Sequence, residues 1–379
     1  MSHLKAAASR TLQLALVLWA VVTILFLMFR LMPGNPLAAY IDPTFTVEQQ
    51  ETLMAQFGLD RPLWEQYFIY LGNLLQGEFG QSFRYREPVA ERIVALLPNT
   101  LVLTFSSLII AYVFGILAGA YLAWKRGTVV EQAAIPLVLT TRAMPEFWLG
   151  MVLLAVFSFG LGWFPAGGTR PAGASYDSLF ALYTSTDFLT YLALPALTLA
   201  IYSQGLPLLL MRSNMLDVMK EDFVTMARIK GLSNWTVVVR HAARNALLPV
   251  MTSFAIAVGY QLQGNVVVES VFSWPGLGRE LVNAVSASDY PLAQGAFLMI
   301  AVVVILMNLI ADLLRGAHPG LTVEIVETPW GEGIPADRFE EILTADTAHR
   351  IKAVLATHNE TATGVRSDIA AVRRALDAS

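Results

Sequence analysis

Residues 223–249, FVTMARIKGLSNWTVVVRHAARNALLP, form a polar, cationic island between two long apolar runs. Arg228, Lys230, Arg240 and Arg244 gather there around Gly231. Side chains of these types make and break no bonds on their own. At an exposed turn they either pair with the carboxylates of a partner or stay solvated as a positive loop beside a membrane. A helix from about Asp217, a break at Gly231 and a second helix from about Trp235 to Ala246 would bring the four cations to one elbow. Ser233 and Asn234 stand where they can cap the second half.

A second set is embedded in apolar sequence: Glu146, Gln261, Gln263, Asn265 and Glu269. Ionisable and amide groups at membrane depth either line a pathway or hydrogen-bond neighbouring helices. Glu146 follows Pro145 and lies four residues after Arg142, so it either pairs locally or takes part in gating. Gly115 and Gly119 form a G-x-x-x-G pair, which points to close helix packing.

Catalytic chemistry is not indicated. No G-x-x-x-x-G-K run followed by Ser or Thr occurs, and GLGRE at 276–280 lacks the lysine and the hydroxyl. Any ATP and magnesium must therefore be bound, and the ATP hydrolysed, by another polypeptide. His3, His241, His318, His349 and His358 are scattered, which gives neither a metal cluster nor a Ser/His/Asp arrangement. The absence of cysteine removes disulfides and thiolate catalysis. The chain reads as a non-enzyme with no cofactor of its own.

The elements that must carry these residues belong to a lipid environment. Of 379 residues, 55% are hydrophobic and 14% charged, against about a quarter charged in soluble domains. The expected class is an all-α integral membrane protein. A net charge of −4 argues neither for nucleic acid nor for a general acidic partner. Spanning takes roughly 20 apolar residues, and six runs qualify: 11–32, 100–124, 133–164, 188–211, 247–268 and 292–314. The first is too long for a signal-peptide core and reads as a retained helix. The third exceeds one span, with its excess expected before Pro145. Lys5, Arg10, Lys125, Arg126, Arg212, Lys220 and the elbow cations fall on one side and put both termini in the cytoplasm.

Segment 34–99 is then external and has helical signals of its own. Thr46 and Gln49 read as a capping box, Gly58 as a stop and Pro62 as the start of another helix. Leu63, Trp64, Tyr67, Phe68, Leu71, Leu74 and Leu75 recur at helical spacing up to Gly77. A small cap on the membrane surface or a ligand-contacting segment would fit.

Thr225, Met226, Ala227, three residues and Gly231, followed by Leu247, Leu248 and Pro249, resemble the E-A-A-x-x-x-G…L-P signature of bacterial ABC importer permeases. MPGNP at 32–36, GLDRPLWEQYFIYL at 58–71, GEFGQSF at 77–83, LPNTL at 97–101, LPALTLA at 194–200, VVVESVFSWPGLGRELV at 266–282 and DYP at 289–291 are similar to the dipeptide and oligopeptide branch. The resemblance runs from near the N-terminus to about Leu314. It implies a type I importer half-pore with a second homologous permease, two ATPases that bind ATP and magnesium, and an external solute-binding protein delivering peptide. It makes 212–246 the coupling segment, with Phe223, Thr225, Met226, Ala227, Arg228, Lys230, Gly231, Arg240 and Arg244 as docking residues. Ala227 would permit close approach and Gly231 the sharp turn. Relatives of this branch also take nickel chelates, glutathione or oligosaccharides.

Composition changes at 315–320 into a polar tail. Residues 322–327 and 351–357 pattern as strands, and 335–343 and 367–376 as helices. ETPWGEGIPADRFEEIL and HRIKAVLATHNETATGVRSDIAAVRRALDA resemble a fragment of the serine/alanine–glyoxylate aminotransferases, with His358, Glu360, Thr361, Thr363 and Gly364 on the cofactor-approaching loop. The cofactor lysine of that family is missing, so 317–379 is expected to be an incomplete appendage or a regulatory tail. Either a working importer subunit, residues 1–316, or an inactive fusion membrane protein follows.

Overall fold

The computed structural model describes residues 2–30, 60–316 and 336–345. Among these residues the regular elements are helices, and the strand-like feature is an isolated antiparallel bridge between Gln81 and Pro88. Helices satisfy every backbone group within one segment, as a hydrocarbon environment requires. The external signals at Thr46, Gln49 and Gly58 and the tail patterns at 322–327, 351–357 and 367–376 lie outside the described residues.

The first helix, α1, spans Ser2–Arg30, and α2 spans Leu63–Leu75 behind Pro62, close to its expected bounds. Its apolar set does not form one buried face. Leu63, Trp64, Phe68 and Leu75 are exposed, while Gln66 is buried among half-buried Tyr67, Tyr70, Leu71 and Leu74. A helix at an interface can keep aromatic groups outward.

The long α3, Val89–Trp124, carries Pro98 in its interior and begins eleven residues earlier than its apolar run. Helix α4, Val129–Ala143, meets α5, Glu146–Leu153, which continues as the π-helical turn Leu154–Gly160. The two limbs are bent by 104°. Pro145 is the cause, since it holds Met144 at an extended ψ of 139°. Helices α6 (Leu179–Thr184), α7 (Thr186–Ser203) and α8 (Gly205–Val218) follow, with a 44° bend between the last two where a single straight run was expected. Counting each bent pair as one span, with Gln13–Arg30, Val89–Trp124, Asn234–Gln261 and Tyr290–Ile310, gives six. The six apolar runs are accounted for.

The elbow differs from expectation at both ends. The helix expected from Asp217 is two helices, because α8 ends at Val218 and α9 spans Asp222–Ile229. Tight bonds from Lys220 N–H to Asp217 O at 3.0 Å and from Glu221 N–H to Val218 O at 3.1 Å turn the chain between them. Beyond the elbow, α10 (Asn234–Thr236), the π-helical Val237–Ala242 and α11 (Ala243–Val271) run on without the stop expected at Ala246. Ala246 and Val250 are fully buried in the same cluster as Met211 and Met215, so packing carries the helix through Pro249. Helices α12 (Leu277–Ser286) and α13 (Tyr290–Gly316) close the bundle.

Helix α3 is central. Gly115 and Gly119 let α8 approach it backbone to backbone: a Cβ on Gly115 would lie 2.9 Å from Pro207 Cγ and 3.0 Å from Leu208 N, and one on Gly119 would overlap Leu208 O. The G-x-x-x-G pair is a packing device. Arg212 of α8 donates through Nε and Nη2 to buried Glu131 of α4, the first at 2.7 Å, and Gly127 N–H donates to the same carboxylate. That ion pair joins the two bent spans.

The other end of the bundle is held by Asp289. Its buried carboxylate accepts from Ser82 Oγ, from Phe83 N–H and Arg84 N–H at 3.1 Å each, and from Leu292 N–H at 3.4 Å. One side chain thus fixes the 82–85 turn and the start of α13. Arg92 adds bonds to Glu280 at 3.0 Å and Glu87 at 3.1 Å, with its guanidinium 3.6 Å from the Tyr85 ring centroid. Burial, and next the neighbouring Glu280 carboxylate, push the Tyr85 phenol above its usual range.

Contacts divide the chain into Met1–Arg315 and Gly316–Ser379. In the second unit the described part is α14, Ala336–Ala345, with Arg338 bonded to Glu341 at 2.6 Å.

Gly119→Ala is expected to lower the thermal stability of the detergent-solubilised protein by about 1–3 kcal/mol through overpacking. Gly72→Ala, in α2 with nothing within 4 Å of the new Cβ, is expected to be neutral or to stabilise by up to about 1 kcal/mol. Equal melting shifts for the two variants would contradict the close contact.

Candidate functional site: the elbow and the polar seam

The elbow is built by two caps placed back to back. Helix α9 starts with Asp222 in its first turn, favourable to the helix dipole, and ends at Ile229 with Lys230 as its C-cap. Leu232 N–H bonds Ala227 O at 3.3 Å and Gly231 N–H bonds Arg228 O at 2.9 Å. This pair is a Schellman motif, whose C′ residue must be left-handed. Gly231 occupies it at φ +76°. Two residues later Ser233 Oγ accepts from Thr236 N–H at 3.2 Å and starts the next helix. No slack remains between the two limbs.

The elbow has an anchored face and an open face. Val224, Ala227, Val237, Val238 and Ala242 are buried in one cluster with Ala123, Met211 and Met215. Ala227 is 5% exposed, whereas Met226 is 58% and Ile229 74% exposed. Ala227, expected to permit close approach, is packed against the bundle itself. Phe223, Met226 and Ile229, spaced by three, project outward with Leu232 and Trp235. Thr225, Arg228, Lys230, Arg240 and Arg244 are exposed too, and none of these cations has an ion-pair partner among the described residues. Ile229, Leu232 and Trp235 were missed by reading the sequence for charge, although their spacing from Phe223 and Met226 was a usable signal. The open face combines apolar area with cations.

Glu146 is half-buried in the first turn of α5 and makes no ion pair with Arg142. The arginine stem instead lies beside Gly205, where a Cβ would be 3.4 Å from Arg142 Cδ. Glu146 gains from the helix dipole rather than from a cation.

Gln261, Asn265 and Glu269 recur every four residues on one face of α11. Gln261 Oε1 accepts from Ser203 Oγ at 2.8 Å, and Asn265 Nδ2 donates to Thr104 Oγ1. Glu269 Oε1 accepts from Thr100 Oγ1 at 2.7 Å, and its Oε2 accepts from Arg279 N–H at 2.8 Å. Thr100 Oγ1 in turn accepts from Leu277 N–H at 2.8 Å, so the pair of side chains caps α12. Gly276 and Gly278 are needed there because a Cβ on either would meet the Glu269 carboxylate. Asn265 Oδ1 is buried without a partner. Gln263 lies on α11, but its side chain lies outside the described residues.

Around Glu269 the LPNTL and SWPGLG sequences lock together. Asn99 Nδ2 donates to Pro275 O at 2.8 Å, Trp274 Nε1 donates to Asn99 O at 3.1 Å and Tyr183 OH donates to Asn99 Oδ1 at 3.0 Å. Asn99, Thr100 and Trp274 were not singled out from the sequence, because their partners lie some 175 positions away.

Residues 111–318 match the family described as "Binding-protein-dependent transport system inner membrane component", and residues 3–104 match its N-terminal membrane-component family. The chain belongs to this family. The di/tripeptide transport system permease protein DppB of Pseudomonas aeruginosa is 38% identical over 324 residues, covering 79% of this chain and 94% of the relative. The oligopeptide transport system permease protein AppB of Bacillus subtilis is 36% identical over 306 residues, covering 80% and 95%. The glutathione transport system permease protein GsiC of Escherichia coli strain K12 is 36% identical over 308 residues, covering 81% and 95%. Membership makes the all-α bundle an inner-membrane permease component of a binding-protein-dependent transport system, which implies ATPase and solute-binding partners. The family match stops at residue 318.

Glu269→Gln is expected to cost about 1–3 kcal/mol, because an amide replaces one of two buried acceptor oxygens. Thermal unfolding in detergent checks this. An unchanged melting temperature would show that the Glu269 bonds to α3 and α12 are dispensable.

Proposed function

We propose that this chain is the pore-forming permease subunit of an ATP-driven, binding-protein-dependent importer for dipeptides or oligopeptides, working by alternating access. The elbow carries this reading: a stiff double-capped turn, anchored on one face, that offers Phe223, Met226 and Ile229 with unpaired cations on the other. Such a surface suits a partner groove with an apolar floor and an acidic rim. Peptide as solute is supported by the names of the relatives, glutathione being itself a peptide. Nickel chelates and oligosaccharides are the competing solutes, with the choice left mainly to the binding protein.

In this reading the elbow end is cytoplasmic, since Lys125, Arg126, Arg212 and Lys220 share it with the elbow cations, and both termini face that side. A second homologous permease completes the pore, and two ATPases hold ATP and magnesium. Their closure moves the elbows, and the bends at Met144–Pro145 and Gln204 redirect the spans. Half-buried Glu146 is the polar group offered to a passing solute, while Asn265 Oδ1 is buried and would have to be uncovered by a change of helix packing to meet one.

The paired substitution Met226→Asp and Ile229→Asp is expected to leave insertion and melting unchanged while weakening ATPase co-purification by about thirtyfold or more, as for loss of an interface hot spot. Gly231→Val is expected to lower peptide-stimulated ATPase activity more than Gly231→Asn. The left-handed backbone costs a β-branched residue about 1–2 kcal/mol, whereas Asn tolerates it. The full chain and a version ending at Gly316, each reconstituted with the neighbouring permease, ATPases and binding protein, would test the assignment itself. Solute flux down a gradient without any ATPase would refute it.

A further inference from the structure

A cavity of about 360 Å³ opens at the elbow end, between the close of α3, the last turns of α8 and the elbow. Its polar wall is cationic, with Arg126, Lys220 and Arg228 and no carboxylate among the lining residues. Lys220 reaches Asp217 at 3.4 Å, a loose pair between mainly exposed groups, while Arg126 and Arg228 have no ion-pair partner among the described residues. Glu131, buried outside the cavity lining, is bonded to Arg212 and also feels the charge of Arg126 without pairing with it. The opposite wall is apolar, formed by Leu216, Met219 and Val238.

An exposed apolar stripe leads to this cavity. Leu117, Tyr121 and Trp124 follow one another at helical spacing on α3, all exposed, and Trp124 itself lines the cavity. Tyr121 meets the Trp124 ring edge-on, and Lys125 Nζ lies 5.1 Å from its centroid. Tyr, Trp and Lys together at the end of a spanning helix mark the level of lipid headgroups. Converging cations with an aromatic rim and an apolar track suit a phosphate attached to acyl chains better than a free anion, which would gain nothing from the track.

We propose that this cavity binds the phosphate headgroup of an anionic membrane phospholipid, whose chains lie along Leu117, Tyr121 and Trp124. The bound lipid would bridge α3 to the elbow through Arg126 and Arg228. Arg228 is shared between this cavity and the docking face of the elbow, whereas Arg126, Lys220 and Trp124 line the cavity and are not among the docking residues, so the site is tested through Arg126 and Lys220.

The test uses the full-length chain co-purified with its partner subunits, stripped of lipid and followed by native mass spectrometry. Phosphatidylglycerol, phosphatidylcholine and inorganic phosphate are added separately. Phosphatidylglycerol is expected to be retained over phosphatidylcholine, and the double substitution Arg126→Gln, Lys220→Gln is expected to weaken its retention about thirtyfold. The charge-preserving pair Arg126→Lys, Lys220→Arg should retain it, as should Arg240→Gln, whose cation is outside the cavity lining. Equal retention of the two lipids, or wild-type retention by the double Gln variant, would overturn the proposal. Inorganic phosphate displacing phosphatidylglycerol at equal concentration would assign the cations to a soluble anion instead.

Discussion

Backbone that leaves a helix inside a membrane protein has to be satisfied by side chains, and two buried carboxylates meet that demand at one end of this bundle. Glu269 closes the turn between α11 and α12, and Asp289 closes the turn before α13 while holding residues 82–84. Neither has an ion-pair partner among the described residues; both are held by N–H and hydroxyl donors, Asp289 immediately before α13 and the Glu269 side chain reaching from the last turn of α11 to the start of α12, where the helix dipole favours negative charge. Geometry of this kind is all or none, since an oxygen that loses one donor is left unpaired in a dry site. The 82–85 turn, the first turns of α3, and helices α12 and α13 are therefore expected to move together or not at all.

The elbow end follows a different rule. Val224, Ala227, Val237 and Val238 are seated by apolar contact and the caps at 227–236 are local to the elbow, while Arg212 bonded to Glu131 and Asn214 Nδ2 bonded to Ala246 O at 3.2 Å tie the helices beside it. Apolar faces tolerate small sliding in a way that directional bonds do not, which suits shear between packed helices. The bends follow the same division: Met144–Pro145 and Gln204 lie on the α4–α5 and α7–α8 pairs, away from the Asp289 lock. The elbow helix α9 packs on Val237–Ala242, which runs directly into α11, and α8 meets α3 at Gly119 with no side chain between the backbones.

Much of this was legible in the sequence. Apolar run length gave six spans, Pro145 gave the sharpest bend, and the spacing of Gly115 and Gly119 gave the tightest helix contact, because each is a local property of the chain. Gly231 was legible as a turn, while the Schellman bonds that demand it needed coordinates. What could not be read was pairing across distance. Nothing near Asp289 names Ser82, and nothing near Glu131 names Arg212. The neighbour of Ala227 was not legible for a related reason: a three-residue signature shows that a small side chain is wanted, but not which neighbour requires it.

The polar residues of α11 illustrate how the two ends are joined. Gln261, Asn265 and Glu269 lie at successive turns and meet Ser203, Thr104 and Thr100 in order. An amide or carboxylate bonded to a neighbouring helix has already met its need for a partner, so most of this row serves as a seam between α11 and helices α3 and α7. Asn265 is the exception within it, since its amide nitrogen is used and its buried oxygen is free. Leaving one acceptor unmet costs stability, and a seam built only to hold helices would gain from a hydroxyl or an apolar residue there. Among the described residues of the row, this oxygen is the buried acceptor that a change of helix spacing could supply with a bond.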